Sequence, residues 1–369
     1  MRHCSPGFRY PALFVFLLGT LLLGALVSCS GGGDSVTRAL APTPSAFGKM
    51  NSVTIVTDTA MMKEAVGDSI VQYFGAPYIL LPRPEAIFDL RVASPYQLKA
   101  EPTLRETRSY LVVANLSDTD SETTQMVLSD LRDSTIQKIK RTGFGTFVAT
   151  DKWATGQILI YLVGTSYDNL AAGIAQVAPQ VVSRLKGNQR ERLESIIYVE
   201  GTDRSIMDTI RQSVGADIRI PADYLLSPVP DTGVVWLRRD LPDGTVNIML
   251  TRRPYQSQDQ LSQSGIQSIR DTLGRRYVST QIEGTYMVVN DTDLPLFTTT
   301  MQLNGNYAVE TRGIWEIRGD FLAGPFVSYL IYNEAKPDLL FVDGFIHAPG
   351  RNKRDLMEEL TFILNTTRY

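Results

Sequence analysis

Cys29 is the residue whose position most clearly indicates a chemistry, because it directly follows a small residue at the end of an apolar run. The three residues before it complete a lipobox, in which a cysteine thiol accepts lipid: Leu26, Val27 and Ser28. Two arginines near the start and an uncharged segment over residues 12–27 are the layout of a secretory signal, and the segment is short for a membrane span. The sequence predicts cleavage after Ser28 and a lipid anchor on Cys29. The alternative is an ordinary secretory signal.

The lipobox also predicts where the protein works. Acylation would add more than one chain, which is what stable membrane anchoring requires. Ser30 follows the cysteine and the nearest acid is Asp34. We therefore expect a protein of the cell envelope, retained in the outer membrane and facing the periplasm. Residues 29–48 are rich in Gly, Ser and Pro and should form a flexible tether, in which Asp34-Ser35-Val36 resembles an O-glycosylation acceptor.

The mature chain would contain very little cysteine and histidine, which many catalytic and metal sites use. Its only cysteine would be Cys29, because Cys4 lies in the signal, and its only histidine would be His347. No internal disulfide or two-histidine metal site is then available. Asp343 and His347 fall on one face of a predicted strand, but residues four apart on a strand lie about 13 Å apart, too far for a hydrogen bond. We predict no catalytic residue and no cofactor, and interpret His347 as a polar residue that closes a strand.

Residues 118–122 place acidic side chains at alternate positions, as the start of a calcium loop does. A calcium loop also needs glycine at its sixth position and glutamate at its twelfth. This chain has Thr123 and Ser129 there. A helix capping box with Thr119 and Glu122 explains the segment better, so no metal site is predicted.

Arginines in the second half of the chain could pair bidentately with an anion. The candidates come from two doublets and from the segment after the last predicted strand: Arg252, Arg276 and Arg351. If they converge, they could hold an anionic lipid headgroup or an acidic glycan. The alternative is a solvated face, since neighbouring strand residues point to opposite sides. The formal net charge is −3, without a basic excess, so nucleic acid is not an expected partner.

The segment Gly319–Phe326 is the most distinctive local stretch, because glycine and proline flank several apolar residues. Its candidate binding residues are Phe321, Leu322, Pro325 and Phe326. They either pack in the core or form an exposed edge that binds a partner. The same region contains Glu316 and Asp320, which could serve a carboxylate-dependent hydrolase of glycan or peptidoglycan if they lay about 5 to 9 Å apart.

Alternating strand and helix patterns occupy the first half of the mature chain. Strands are predicted at residues 52–57, 110–114 and 157–163. Helices are predicted at residues 61–74, after residue 119, and along an apolar stripe formed by Leu170, Ile174, Val177, Val181 and Leu185. Pro179 should kink or break this last helix, which should end near Gly187-Asn188. Residues 190–199 are predicted to be weakly helical.

The second half has a different order of elements. A helix at residues 205–214 precedes short strands at residues 217–220, 234–237 and 246–250. The pattern Ser257–Gln260 is a capping box that should open another helix. A meander follows, with strands at residues 309–317, 326–332 and 339–346. The final helix should bury Leu356, Leu360 and Ile363.

Several short motifs in the last hundred residues carry a resemblance to a known family. They are Arg270-Asp271, Gly284-Thr285-Tyr286-Met287, Arg312-Gly313-Ile314-Trp315, Gly324-Pro325-Phe326-Val327 and Gly344-Phe345-Ile346. In order and spacing they resemble the bacterial envelope lipoproteins called domain of unknown function 4837, and the resemblance extends over most of the mature chain. Ala323 departs from it, where the family favours glycine. The resemblance implies an envelope location and no known activity, and it supplies no catalytic residue.

Together these patterns predict an α+β protein of two lobes, each a mixed, mainly antiparallel sheet with flanking helices. The predicted divisions are a signal at 1–28, a lipidated cysteine and linker at 29–48, and lobes at 49–187 and 188–369. We expect a lipid-anchored envelope protein that binds or scaffolds. Its partners would be the membrane, through the anchor, and an envelope protein or an anionic glycan or lipid. The alternative is the envelope hydrolase, and the oligomeric state stays open.

Overall fold

Two β-sheets, which share no strand, organise the described part of the chain. The computed structural model describes Met1, residues 43–231 and residues 233–369, so the predicted signal, lipobox and most of the tether lie outside the described residues. The N-terminal lobe is built on the sheet between residues 52 and 164, and the C-terminal lobe on the sheet between residues 225 and 347. None of the described helices is long and apolar enough to cross a membrane.

The N-terminal sheet has the strand order β2-β1-β3-β5-β4. The strands are β1 Ser52–Val56, β2 Asp89–Ala93, β3 Ser109–Asn115, β4 Phe144–Thr150 and β5 Ile158–Gly164. Strands β3 and β5 are buried along their whole length, as expected for parallel strands covered on both faces. Helices do cover both faces. They are α1 Ala65–Phe74, α2 Pro95–Ala100, α3 Glu122–Asp130, α4 Asp133–Thr142 and α5 Tyr167–Ile197.

The α+β fold class is confirmed, and over both sheets together the strand pairing is mainly antiparallel. The N-terminal sheet alone departs from that expectation, because β1 pairs in parallel with β2 and β3, and β3 pairs in parallel with β5. Only β4 runs antiparallel, to β5. Helical crossovers connect these parallel strands, and such crossovers are what parallel pairing requires.

Helix α5 is longer than the sequence predicts. It continues through Pro179 and ends at Ile197, so the predicted end near Gly187 is wrong. The helix persists because Gln189 and Ile197 are buried in its last third and Leu193 packs against the core of the C-terminal lobe. This tertiary packing outweighs the helix-breaking tendency of proline and glycine. The predicted lobe boundary between residues 187 and 188 lies inside α5.

The C-terminal sheet has the order β10-β11-β12-β13-β8-β7-β6, and β9 also pairs with β11. The strands are β6 Leu225–Ser227, β7 Val234–Leu241, β8 Gly244–Pro254, β9 Tyr286–Asn290, β10 Phe297–Leu303, β11 Asn306–Arg318, β12 Ala323–Tyr332 and β13 Asp338–His347. All these pairs are antiparallel. The predicted meander is confirmed as β11, β12 and β13. The predicted strand at residues 217–220 is wrong: the segment makes one isolated bridge, between Asp217 and Arg368.

Helices cover both faces of this sheet as well. They are α6 Arg204–Val214, α7 Gln263–Tyr277 and α8 Arg354–Leu364. One core joins α6 and α8 to the sheet, and the core on the other face contains Ile266 and Leu273 of α7. The capping box at Ser257 is confirmed, but it opens a short 3₁₀ helix, Gln258–Leu261. Helix α7 begins five residues later than the pattern suggests, with Ser262 as its cap.

The start of α8 joins the two lobes. The carboxylate of Glu85, from the N-terminal lobe, accepts hydrogen bonds from the backbone N–H groups of Lys353 (2.6 Å) and Arg354 (3.0 Å). The guanidinium of Arg354 in turn donates to Asp89 (2.9 Å) and to the carbonyl oxygen of Ala86 (2.7 Å). Glu85 thus supplies the N-terminal cap that α8 lacks within its own lobe.

Asn51 makes the second part of this junction. It is fully buried and has a left-handed backbone, with φ of 60°. Its amide Nδ2 donates to Asp355 (3.0 Å) and Glu358 (2.7 Å) of α8, and its backbone N–H donates to Gln189 of α5 (2.9 Å). Lys186 donates to the Asn51 Oδ1 (2.9 Å). One asparagine therefore ties the loop before β1 to both helices.

Candidate functional site

A cleft of about 370 Å³ opens on the N-terminal lobe, within the size range of small-molecule sites. Its walls come from α2, from the 3₁₀ helix Pro102–Glu106, from α3 and from the loop that joins β4 to β5. Apolar and polar side chains both line it: Pro95, Leu98, Lys99, Arg105, Glu122, Gln125, Met126, Ser129, Lys152 and Trp153.

Local sequence fixes the first wall. Ser94 caps α2, with its hydroxyl accepting from the backbone N–H of Gln97 (3.2 Å) while the Gln97 side chain accepts from the N–H of Ser94 (2.9 Å). Pro95 occupies the first helical position, where its missing N–H is not needed. Leu98 is buried beneath the helix and Lys99 is exposed. The short helix can therefore present an ammonium group without losing its own packing.

Buried Gln157 holds two walls together. Its side-chain oxygen accepts from the backbone N–H of Trp153 (2.9 Å). Its amide donates to the carbonyl oxygens of Arg105 (2.5 Å) and Thr107 (2.7 Å). The backbone segments that carry Trp153 and Arg105 are therefore fixed relative to each other through one side chain. Because Gln157 is almost fully buried, these bonds are not exposed to competition from water.

The ring of Trp153 is also fixed. It packs edge-to-face with Tyr110, with 5.3 Å between ring centroids and an angle of 71° between planes. Tyr110 donates its hydroxyl to the carbonyl oxygen of Leu104 (2.5 Å), and burial raises the pKa of Tyr110 to about 12. It therefore stays a neutral donor at physiological pH. Lys152 lies over the indole, 4.9 Å from the ring centroid.

The cations of the cleft differ in whether a carboxylate of the protein neutralises them. Lys152 forms an ion pair with Asp130, whose Oδ2 also accepts from the hydroxyl of Tyr161 (2.9 Å). Burial raises the pKa of Tyr161 and the nearby Asp130 carboxylate raises it further, so the phenol keeps its proton. No ion pair among the described residues involves Lys99 or Arg105. The cleft therefore has two cations available to a ligand, and Glu122 is the carboxylate among its described lining residues.

The cleft was missed in the sequence because its walls come from segments spread over residues 95–153. Lys152-Trp153, between two predicted strands, is the local signal that would have pointed to it. The predicted lipidation residue Cys29 and its lipobox lie outside the described residues.

The three candidate arginines do not form one site. Arg252 lies 3.8 Å from Asp338, at the start of β13, whereas Arg351 follows the end of that strand. Ten residues of strand span about 30 Å. Arg276 pairs with Asp231 on the exposed surface of α7 (2.9 Å). The extended strand separates Arg252 from Arg351, and carboxylates already neutralise Arg252 and Arg276.

The candidate binding turn is mostly packed. Pro325 and Phe326 are buried, and Leu322 is half-buried against an apolar cluster of the C-terminal lobe. Phe321 alone is fully exposed. Gly319 has φ of 87°, so the turn depends on a residue without a side chain. The core-packing alternative therefore describes three of the four residues.

The hydrogen-bonding partners of Asp343 do not include His347. It accepts hydrogen bonds from the hydroxyl of Ser328 (2.6 Å) and from Nε of Arg270 (3.2 Å). Asp343 and Arg270 are both buried. His347 instead packs near Trp315, with 6.2 Å between the ring centroids. The sequence placed Asp343 on the correct strand face, but its partner is on α7, which no local pattern reveals.

Glu316 and Asp320, the candidate hydrolase carboxylates, serve local structure. Glu316 accepts from the side-chain amide of Asn290 (2.7 Å) and pairs with Arg318 (3.1 Å). Asp320 accepts from the backbone N–H of Phe321 (2.7 Å). These contacts give both carboxylates a structural role.

The acidic segment before α3 caps that helix. The cap is Ser121, whose hydroxyl accepts from the N–H of Thr124 (3.0 Å), two residues later than the predicted Thr119. Within the described ranges, no group of three or more His, Cys, Asp and Glu side chains could hold a metal ion.

Two family models match the chain, and each covers one lobe. The model described as "Domain of unknown function (DUF4837)" matches residues 203–366. The C-terminal lobe belongs to the DUF4837 family. The second model, "Domain of unknown function (DUF8532)", matches residues 46–198. The resemblance to DUF4837 is thus confirmed for the C-terminal lobe. Its expected extension over most of the mature chain is not, since the lobe that contains the cleft matches the other model.

The comparisons beyond these families are weak. No curated protein matches this chain. A crystal structure of a protein from Bacteroides thetaiotaomicron VPI-5482 is similar over 42% of this chain and 44% of that one, with 10% sequence identity and a TM-score of 0.23. The match thus spans less than half of that protein, and a likeness this weak supports no conclusion about the DUF4837 lobe or the cleft.

Proposed function

We propose that the protein is a lipid-anchored binding protein of the cell envelope, which holds an envelope partner or ligand near the membrane without transforming it. Support for the anchor is the lipobox that ends at Cys29. A tether of about twenty residues would allow the folded lobes to reach roughly 25 Å from the lipid surface. The proposed location is the outer membrane, facing the periplasm.

The observation that carries the binding role is the cleft of the N-terminal lobe. Its aromatic wall is fixed before any ligand arrives, because Gln157 and Tyr110 hold Trp153 in place. Fixed recognition groups lower the entropic cost of binding. Lys99 and Arg105 add cations that no described carboxylate neutralises. This arrangement suits recognition, and the carboxylates Glu316 and Asp320 give no support to the hydrolase alternative.

A crosslinking pull-down from intact cells tests the proposal. The lipidated protein is compared with a form in which an ordinary secretory signal replaces residues 1–29, so that the unanchored protein still reaches the periplasm. We expect an envelope partner or glycan to be recovered with the anchored form and to be chemically unaltered. If the unanchored form recovered as much of the partner, the anchor would not be required for binding and that part of the proposal would be wrong. Recovery of cleaved glycan would favour a hydrolase.

A further inference from the structure

We infer that the cleft binds an anionic saccharide, with a sugar ring against Trp153 and the acidic group between Lys99 and Arg105. This inference rests on the proposed binding function and names the ligand class. The acidic group is a carboxylate or a phosphate ester, since both accept hydrogen bonds from ammonium and guanidinium groups.

The charges of the cleft favour an anion. Lys152 is neutralised by Asp130, and Tyr161 adds a hydrogen bond to the same carboxylate. Arg105 is half-buried, yet no ion pair among the described residues involves it. A half-buried guanidinium gains more from a ligand anion than an exposed one does, because less water screens the pair.

The aromatic wall favours a sugar over a bare anion. Trp153 packs edge-to-face with Tyr110, and it is also one of the residues that line the cleft. A pyranose has an apolar face of C–H groups that suits such a ring and a rim of hydroxyl groups that needs hydrogen-bonding partners. Gln125 and Ser129 supply polar side chains on the opposite wall, where both are exposed.

The shape of the site disfavours a lipid surface. A volume of about 370 Å³ fits one or two sugar units within a concave site. A flat bilayer cannot enter such a cleft, and an acyl chain would leave the charged rim without hydrogen-bonding partners. A headgroup detached from the membrane would satisfy the same chemistry, so the test includes both sources of anion.

Binding by the full-length lipidated protein in detergent micelles tests the inference by calorimetry. The probes are a disaccharide that ends in glucuronate, the same disaccharide ending in glucose, glucose 6-phosphate, inorganic phosphate, and glycerophosphoglycerol as the detached headgroup of phosphatidylglycerol. We expect the glucuronate probe to bind and the glucose probe to bind at least about ten-fold more weakly, as expected for loss of a charged hydrogen-bonded pair.

Variants assign that binding to the cleft. Arg105→Ala and Lys99→Ala should each weaken glucuronate binding about ten-fold, and Trp153→Ala should weaken both saccharides. Trp153→Phe keeps an aromatic face and should retain part of the affinity. The matched control is Lys140→Ala, an exposed lysine on α4 outside the cleft. Each variant is first shown to keep the wild-type unfolding midpoint, so that a fold defect is not read as lost binding.

Four results would overturn the inference. They are no binding of any saccharide, equal affinity for the two disaccharides, binding of inorganic phosphate but of no saccharide, and an equal loss of glucuronate affinity in Arg105→Ala and Lys140→Ala. Binding of glycerophosphoglycerol without saccharide binding would point to a lipid headgroup instead. The proposed function fails separately, in the cell experiment. An anchored protein that recovers an envelope partner through another surface would retain its proposed function while this ligand assignment fails.

Discussion

Arg270 and Asp343 form a buried ion pair that fixes α7 on the C-terminal sheet. The guanidinium carbon of Arg270 also lies 3.8 Å from the ring centroid of Phe326, so one arginine contacts both a carboxylate and an aromatic face. A buried charge without its partner is strongly destabilising, although the intact pair contributes little net stability. This pair therefore explains two charged residues in a core without assigning them to catalysis.

Asp343→Asn tests that role. The substitution leaves the Arg270 charge buried without its counter-charge and should lower the free energy of unfolding by about 3 to 5 kcal/mol. Asp208→Asn is the matched control, because its pair with Arg211 is exposed and should contribute about 0 to 1 kcal/mol. Urea denaturation measures both. Equal losses in the two variants would show that the buried pair has no special role.

His347 should make stability depend on pH. Burial and the positive charge of Lys353 lower the pKa of His347 from its ordinary value of 6.5. As the pH falls through about 6.5, the unfolded chain takes up a proton that the folded protein does not, so the folded state loses stability on acidification. His347→Asn should flatten that part of the profile, measured as the free energy of unfolding between about pH 5 and 7. An unchanged slope would contradict this account.

At the scale of elements, helix α8 depends on a cap from the other lobe. Glu85→Ala removes the acceptor for two backbone N–H groups at its start and should cost about 1 to 2 kcal/mol of stability. Glu64→Ala is a useful control, since Glu64 precedes α1 without making a side-chain cap, and should change stability by about 0.5 kcal/mol or less. Thermal unfolding of both variants checks the difference. A Glu64 effect as large as that of Glu85 would contradict a specific cap.

Elements with strong local patterns were predictable, and elements that depend on distant contacts were not. The apolar stripe containing Leu360 and Ile363 predicts α8, and both residues are buried. The predicted end of α5 was wrong because Gln189 and Ile197 are held by residues far away along the chain. The predicted start of α3 was two residues too early. Ser121 and Thr119 are both suitable caps, and the sequence pattern gives no basis for choosing between them.

At the scale of the whole molecule, the lobes meet through Asn51, and two substitutions separate its contributions. Asn51→Gly keeps the left-handed backbone and loses only the side-chain hydrogen bonds. Asn51→Ala loses those bonds and adds backbone strain, so it should be less stable than the glycine variant by about 1 to 3 kcal/mol. Both should raise hydrogen exchange in α8. If alanine were the more stable of the two, the left-handed backbone would not be a constraint.

The candidate site could be predicted from sequence only in part. The lipobox is a local motif, so it can be recognised from the sequence alone. It remains a prediction because it lies outside the described residues. The cleft depends on Gln157 joining the backbone of Arg105 to that of Trp153 across about fifty residues of sequence. The predicted arginine site was wrong for a different reason. Several arginines in one part of the sequence need not lie on the same face or at the same end of a sheet.

The most direct test of an anchored protein that binds through this cleft is site-specific photo-crosslinking in intact cells. A photoreactive residue replaces Gln125 on the cleft rim or, as a control, Lys138 on α4. We predict an envelope adduct from position 125 that is absent from position 138 and is lost when an ordinary secretory signal replaces residues 1–29. Identical adducts from both positions, or an adduct that persists without the anchor, would contradict the account.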